Sequence, residues 1–181
     1  VKTKLLDTLE KIERLEQHNA RILYVIGQIH SRLGDWEKTI EYFERAVKME
    51  KYNVNYYEGM INYTYALSQF FQSQGMEFEA REMVESSIRY YEQYLDWFHV
   101  FKNQLIPDSR PMDMSYKTLL AVARAYQFKG DHENALKALI PANPRMEPGI
   151  YDFEHERLLT ESIRILSLPE LIQQYSNQMI V

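Results

Sequence analysis

Cysteine is absent from this 181-residue chain, and the absence removes several classes of function. Without a thiolate there is no disulfide framework, no cysteine nucleophile, no zinc ribbon and no iron–sulfur cluster. Long apolar runs are also absent, and the amino terminus has no charged-then-apolar signal region. Because a membrane-spanning helix needs about 18 or more apolar residues, we expect a soluble, cytoplasmic domain with no membrane partner.

Glycine and proline are scarce, with six of each, and the glycines stand far apart. A phosphate-binding loop, a G-x-S-x-G elbow and a Walker-type lysine are therefore missing. The five histidines are scattered along the chain. Carboxylate pairs are separated by three or four residues, as neighbours are on any solvated helix. We predict no catalytic residue, no metal site and no cofactor.

Lysine and arginine are scarce in residues 51–100, where only Lys51, Arg81 and Arg89 occur. Nucleic-acid binding requires clustered cations that displace the counterions of the phosphate backbone. This chain instead has a net charge of −5. We therefore expect no direct nucleic-acid binding by this segment.

Apolar residues spaced three and four apart are abundant, and glycine interrupts them at intervals. This spacing predicts amphipathic helices joined by tight turns, with no strand. Gly34, Gly75 and Gly130 each follow a helical run, so we expect them to adopt the left-handed conformation that closes a helix. The predicted helices are 3–17, 20–33, 36–50, 54–74, 77–103, 113–129, 132–140, 149–166 and 168–178.

A repeated pattern begins at residue 23. Its members in the first copy are Leu23, Ile26, Gly27, His30, Gly34, Asp35, Trp36, Ile40, Phe43 and Ala46. This order resembles the tetratricopeptide repeat, whose signature is W-x2-L-G-x2-Y followed by A-x3-F. The segment departs from the signature at Leu23, His30 and Thr39. A second copy is centred on Gly75 and a third on Gly130.

The resemblance implies an all-α superhelix of antiparallel helix pairs, with about eight or nine helices. We assign residues 1–19 to a capping helix or to the end of a preceding repeat, and expect the chain to be cut from a longer protein. Three repeats follow, at 20–53, 54–103 and 113–140, and the second has an extended second helix. Residues 141–181 are predicted to form a helical pair that caps the stack.

In this family the first helix of each pair lines a concave groove. Carried onto this sequence, the groove positions imply these peptide-binding residues: Arg21, Tyr24, Gln28, Arg32, Asn62, Tyr65, Gln69, Lys117, Arg124 and Gln127. Such side chains can hydrogen-bond the N–H and C=O groups of an extended peptide. The positions that hold Lys and Asn in chaperone-tail carboxylate clamps hold Tyr24 and Gln28 here, so that clamp is absent.

Aromatic residues form a second candidate surface on the long helix. They are Tyr90, Tyr94, Trp97 and Phe101, at helical spacing. One interpretation is packing inside the fold, and the other is self-association of two copies through an aromatic interface.

The resemblance implies a non-catalytic module that binds a protein or a short peptide. Lengthened repeats and an amide-rich groove are similar to the repeat domains of bacterial peptide-pheromone receptors, which implies a ligand-sensing domain of a bacterial regulator. Two alternatives remain open. The domain is either attached to a larger enzyme, such as a glycosyltransferase, for substrate positioning or dimerisation, or it is a structural scaffold.

Overall fold

The structure is a computed structural model that describes residues 2–104, 114–139 and 153–166. Within these ranges it has eight α-helices and no strand, which confirms the predicted all-α fold. The helices are α1 Lys2–Glu16, α2 Ala20–Arg32, α3 Trp36–Met49, α4 Val54–Ser73, α5 Glu77–Gln104, α6 Tyr116–Phe128, α7 His132–Leu139 and α8 Phe153–Leu166.

The predicted start of α8 at residue 149 lies outside the described residues, and elsewhere the predicted helix bounds differ most at α6, which was expected from residue 113 and begins at Tyr116. Ser115 has φ −63° and ψ 148°, so its backbone is extended and the helix cannot begin before it. The predicted helix at 168–178 lies outside the described residues, as do residues 105–113 before α6.

The three predicted turn glycines adopt the same conformation. Gly34, Gly75 and Gly130 have φ of 77°, 74° and 77°, in the left-handed region that favours glycine. At the first turn, the amide of Asp35 donates to the carbonyl of His30 at 3.0 Å. Equivalent bonds, both 2.9 Å long, join Met76 to Phe71 and Asp131 to Tyr126. Each first helix therefore ends in the same glycine-closed turn, as predicted from the spacing.

The described helices belong to two compact units, to both of which α4 and α5 contribute. Unit 1 comprises residues 1–60 and 93–112, and unit 2 comprises 61–92 and 113–181. The core of unit 1 includes the fully buried Leu23, Ile26 and Ala46. Fully buried side chains of unit 2 are Val84, Val122, Leu136, Leu139 and Leu158.

Helices α2 and α3 of unit 1 approach closely at Gly27. A Cβ atom at this position would lie 2.6 Å from Cδ1 and 2.7 Å from Cε1 of Phe43, and 3.2 Å from Cβ of Tyr42. These distances are well below an ordinary carbon–carbon contact of about 3.5–4.0 Å. Only glycine fits here without displacing its neighbours.

Glu13 of α1 bonds two side chains of α3. The Tyr42 hydroxyl donates to one carboxylate oxygen of Glu13 at 2.5 Å, and the Arg45 guanidinium donates to the other at 2.6 Å. The Tyr42 hydrogen bond is the largest influence on the pKa of Glu13, which lies below its ordinary value, and Arg45 lowers it further. Glu13 therefore remains charged and holds α1 against the α2–α3 pair.

Candidate functional site

Helices α2, α4 and α6 carry stripes of residues at equivalent positions before their turn glycines, and these stripes are exposed except at the half-buried Asn62 and Arg124 and the buried Ala121. Four residues at steps of three and four form one stripe on each helix, because residues at this spacing share a face. We name them the α2 stripe (Arg21, Val25, Gln28, Arg32), the α4 stripe (Asn62, Ala66, Gln69, Ser73) and the α6 stripe (Lys117, Ala121, Arg124, Phe128). Three predicted groove residues, Tyr24, Tyr65 and Gln127, lie beside the stripes, and the others lie on them.

The α2 stripe of unit 1 is exposed along its whole length. Arg21 and Arg32 stand at its two ends, roughly 16 Å apart at about 1.5 Å per helical residue. Between them are the Gln28 amide and the Val25 side chain, which is 42% exposed. The stripe therefore offers a solvent-facing surface with cationic ends, an amide and an apolar contact.

Tyr24 was predicted to line the groove, but much of its ring is packed inside unit 1. The ring stacks on Phe43 at a centroid distance of 4.7 Å and lies 5.0 Å from the ring of Tyr56. Burial raises the pKa of Tyr24, and a side-chain hydrogen bond with Gln28 opposes that effect. Tyr24 therefore orients the Gln28 side chain through this hydrogen bond, and its own ring exposes less surface to solvent than expected.

Gly59 is a site residue that sequence reasoning missed. It lies within α4, and a Cβ atom there would overlap the Tyr24 hydroxyl and come within 2.6 Å of Tyr24 Cε2. The glycine thus makes room for the Tyr24 ring between α2 and α4. A glycine inside a helix is itself a signal of close packing, and this signal could have identified Gly59.

Asn62 connects α4 to α6 in unit 2. Its amide nitrogen donates to Thr118 Oγ1 at 2.7 Å, and Thr118 Oγ1 also lies 2.9 Å from Ser115 Oγ. Thr118 is fully buried. At least one donor of the predicted groove residue Asn62 is therefore used within the chain, which leaves it less available to a ligand.

Other predicted groove residues of unit 2 are accessible. Gln69 is exposed, and its amide donates to the hydroxyl of the half-buried Tyr65 at 3.3 Å. Lys117 is exposed and Arg124 is half-buried. Phe128, at the end of the α6 stripe, is 43% exposed. The two stripes of unit 2 thus present an amide, two cations and an aromatic ring.

Gln127 is used to pack α6 against α8. Its amide nitrogen donates to the Leu158 carbonyl at 3.0 Å and to Ser162 Oγ at 2.7 Å. Leu158 and Ser162 are both fully buried. Gln127 was expected in the groove, but its amide hydrogens bond α8. The sequence alone does not show that α8 packs beside Gln127.

The predicted aromatic surface is largely packed within its own units. Tyr90 and Tyr94 are buried, at 5% and 4% exposure. The half-buried Trp97 meets Tyr94 edge-on at 5.2 Å and lies 6.2 Å from the ring of Tyr57. The side chain of Phe101 lies outside the described part of the structure. This burial favours the packing interpretation over self-association.

Among the described residues, no group of three His, Asp or Glu side chains is placed to hold a metal ion. Among the same residues, no helix is long and apolar enough to cross a membrane.

One segment of the chain matches a known repeat family. A family model for the tetratricopeptide repeat matches residues 20–53. The fold is similar to that of the MamA protein, with 18% identity and a TM-score of 0.44 over 84% of this chain and 67% of that one. It is also similar to YrrB, a repeat protein of this type described as having an unusual peptide-binding site, with 13% identity and a TM-score of 0.30 over 93% and 97%. No curated protein matches the chain in sequence. Residues 20–53 are therefore identified as a tetratricopeptide repeat, in a chain whose described residues form helices and no strand.

Proposed function

We propose that this domain binds polypeptide through the exposed residues of its stripes, the α2 stripe in unit 1 and the α4 and α6 stripes in unit 2. The observation that carries the proposal is the recurrence of polar side chains on the stripes before each turn glycine, of which Arg21, Gln28, Arg32, Gln69, Ser73 and Lys117 are exposed. Asn62 and Arg124 are half-buried, and Ala121 is buried. The opposite faces of the same helices hold buried residues such as Leu23, Met60 and Val122. Packing therefore does not account for the polar composition of the stripes.

The chemistry of the stripes suits a peptide backbone. Gln28 and Gln69 each carry both a donor and an acceptor, so they can bond the C=O and N–H groups of an extended chain. Val25 and Phe128 add exposed apolar surface beside them, which can contact the ligand's side chains. With Tyr24, Asn62 and Gln127 engaged inside the units, we assign the ligand contacts to the exposed stripe residues.

Binding can be tested with peptides selected from a random displayed library. Replacing Gln28 and Gln69 together with alanine should weaken a selected peptide by about tenfold, because two hydrogen bonds are lost. The matched control replaces Gln17 and Gln93, two exposed glutamines that lie off the stripes, with alanine. Equal losses in the two double variants, measured by fluorescence polarisation, would refute the assignment.

The finer proposal is that this domain senses a free, short peptide for a bacterial regulator in the cytoplasm. It is supported by the exposure of Gln28 and Gln69, whose amides an extended peptide backbone can reach. A selected peptide, released from its display scaffold, should bind with the same affinity as the displayed form. Binding only in the displayed form would favour a role as an attachment domain of a larger protein.

A further inference from the structure

Three apolar side chains are exposed around the turn that joins α4 to α5. Phe70 is 55% exposed, Met76 is 39% exposed and Phe78 is 71% exposed. We name these three residues the turn patch; all of them belong to unit 2, and none lies on the α4 stripe. We infer that the turn patch binds a partner polypeptide segment in which apolar side chains stand beside lysine or arginine. This surface is separate from the stripes, so the inference goes beyond the proposed function.

The other two glycine-closed turns have a helix cap where this turn has a methionine. One residue after the turn glycine they have Asp35 and Asp131, and the equivalent residue before α5 is Met76. Asp35 accepts the backbone N–H of Lys38 at 3.3 Å, and Asp131 accepts that of Asn134 at 3.1 Å. A methionine side chain cannot provide this stabilising cap, so α5 begins without it.

A second position of the turn patch shows the same contrast. Three residues after the turn glycine, the other turns have the exposed carboxylates Glu37 and Glu133, and α5 has Phe78. Carboxylates are favoured here because anions interact well with the positive end of a helix. The Phe78 ring is mostly exposed, so it does not serve the core of unit 2. Apolar side chains at two positions that elsewhere hold carboxylates indicate a contact surface.

Acidic side chains flank the turn patch on α5. Glu77 and Glu82 are exposed, and Glu79 is half-buried. Among the described side chains, no cation lies within 4.0 Å of these three carboxylates. Arg81 is the one cation in residues 61–88, and it lines a depression beside the end of α6. A segment that covers the turn patch therefore meets carboxylates at its edge, which attract lysine or arginine.

These carboxylates disfavour two other occupants. In a symmetric dimer the same patch meets itself, so Glu77 and Glu82 of the two copies would repel each other. Because a phenylalanine side chain covers about 150–250 Å², the exposed parts of Phe70 and Phe78 amount to roughly 250 Å². A stable dimer buries about 800 Å² on each partner, far more than this patch offers. An anionic lipid surface is also repelled by the carboxylates.

A displayed random peptide library tests the inference when it is selected on the whole chain and counter-selected on the Met76→Asp/Phe78→Glu variant. This variant has the residue types of the other two turns. Peptides that bind the stripes bind both proteins and are removed, so the outcome is independent of the proposed function. The surviving peptides should combine apolar residues with Lys or Arg. No surviving peptide, or survivors without enrichment in Lys or Arg, would overturn the inference.

The thermal stability of the same variant is a second readout. Met76→Asp/Phe78→Glu should melt no lower than the wild type, because the aspartate supplies the missing cap and Phe78 is mostly exposed. A clear fall in Tm would mean that these side chains serve the packing of unit 2, which contradicts their assignment to a contact surface.

Phe70→Ser, a variant that takes no part in the selection, then locates the contact. It should weaken one synthetic surviving peptide at least about tenfold in fluorescence polarisation, because an aromatic anchor of the surface is lost. The matched control is Phe128→Ser, which removes a similarly exposed ring from the α6 stripe and should leave the affinity unchanged. Equal affinities of the two variants would place the peptide elsewhere and refute the inference.

The role of the carboxylates is tested with Glu77→Gln/Glu82→Gln. This variant should bind the same peptide about threefold or more weakly, since two attractive charge contacts are lost. The control, Glu37→Gln/Glu41→Gln, changes the net charge equally at exposed positions of α3 and should have little effect. Equal losses would show that only overall charge matters, against the inference. Circular dichroism checks that each variant keeps its helices.

Two further results would replace the proposed occupant with another. A wild-type dimer in light scattering that Phe78→Glu converts to a monomer would make the occupant a second copy of this chain. Binding to phosphatidylglycerol vesicles that Phe70→Ser abolishes would make it a lipid surface. The inference predicts neither result.

Discussion

Replacing Gly27 with alanine is the most informative test of how tightly α2 and α3 pack. An alanine normally stabilises a helix interior relative to glycine by about 1 kcal/mol. Here the added methyl group would lie 2.6 Å from Cδ1 of Phe43, about 1 Å closer than an ordinary contact. The Phe43 ring is 3% exposed and stacks on Tyr24 at 4.7 Å, so it has little space into which to move.

The magnitude follows from these opposing effects. Overpacking of a core by one carbon typically costs about 1–3 kcal/mol. After the gain in helix propensity is subtracted, we expect Gly27→Ala to lower the free energy of unfolding by about 1 kcal/mol. For a chain of this size that corresponds to a fall in Tm of about 2–4 °C.

A double-mutant cycle with Phe43→Leu separates the overlap from other effects of the substitution. Leucine lacks the ring atoms that the new methyl group would touch, so Gly27→Ala should be less damaging in the Phe43→Leu background by about 1 kcal/mol. Urea unfolding followed by circular dichroism measures all four proteins. If Gly27→Ala instead raises the unfolding free energy of the wild type, the close approach of α2 and α3 is not real.

Three further predictions concern contacts away from Gly27. Because the pKa of Glu13 is lowered in the folded state, its contribution is present above its ordinary pKa of 4.5 and is lost as pH falls through the folded value. Glu13→Gln should therefore lose less unfolding free energy than the wild type between pH 7 and about pH 3 in urea titrations. Gln127→Ala should cost about 1–2 kcal/mol through its lost bonds to α8, whereas Gln69→Ala should change the unfolding free energy by less than about 0.5 kcal/mol. Trp97→Glu should lower Tm without altering the mass measured by light scattering, and a dimer that becomes a well-folded monomer would restore the self-association interpretation.

The helices could be predicted because the residues that end them act locally. A glycine after a run of apolar residues at helical spacing closes a helix, whatever lies elsewhere in the chain. Gly34, Gly75 and Gly130 accordingly appear where expected, with matching backbone conformations. The predicted start of α6 at residue 113 was too early, although Ser115, a residue type favoured at helix N-caps, directly precedes Tyr116.

The candidate site was harder to predict, because a repeat position specifies a helix face and not what lies opposite it. Asn62 and Gln127 are on or beside the outward stripes, yet Thr118 and Ser162 accept hydrogen bonds from them. Both partners belong to other helices, so the contacts depend on packing between segments distant in sequence. The place that Gly59 makes for the Tyr24 ring depends on the same kind of packing.

The central claim is that a polypeptide binds along the first helices of the pairs, and amide chemical shifts test it most directly. A selected peptide is titrated into uniformly ¹⁵N-labelled domain, and the shift changes are assigned to residues. The account predicts the largest changes around Val25 and Gln28 of the α2 stripe, Gln69 of the α4 stripe and Arg124 of the α6 stripe. Changes confined to α3, α5 and α7 would contradict it.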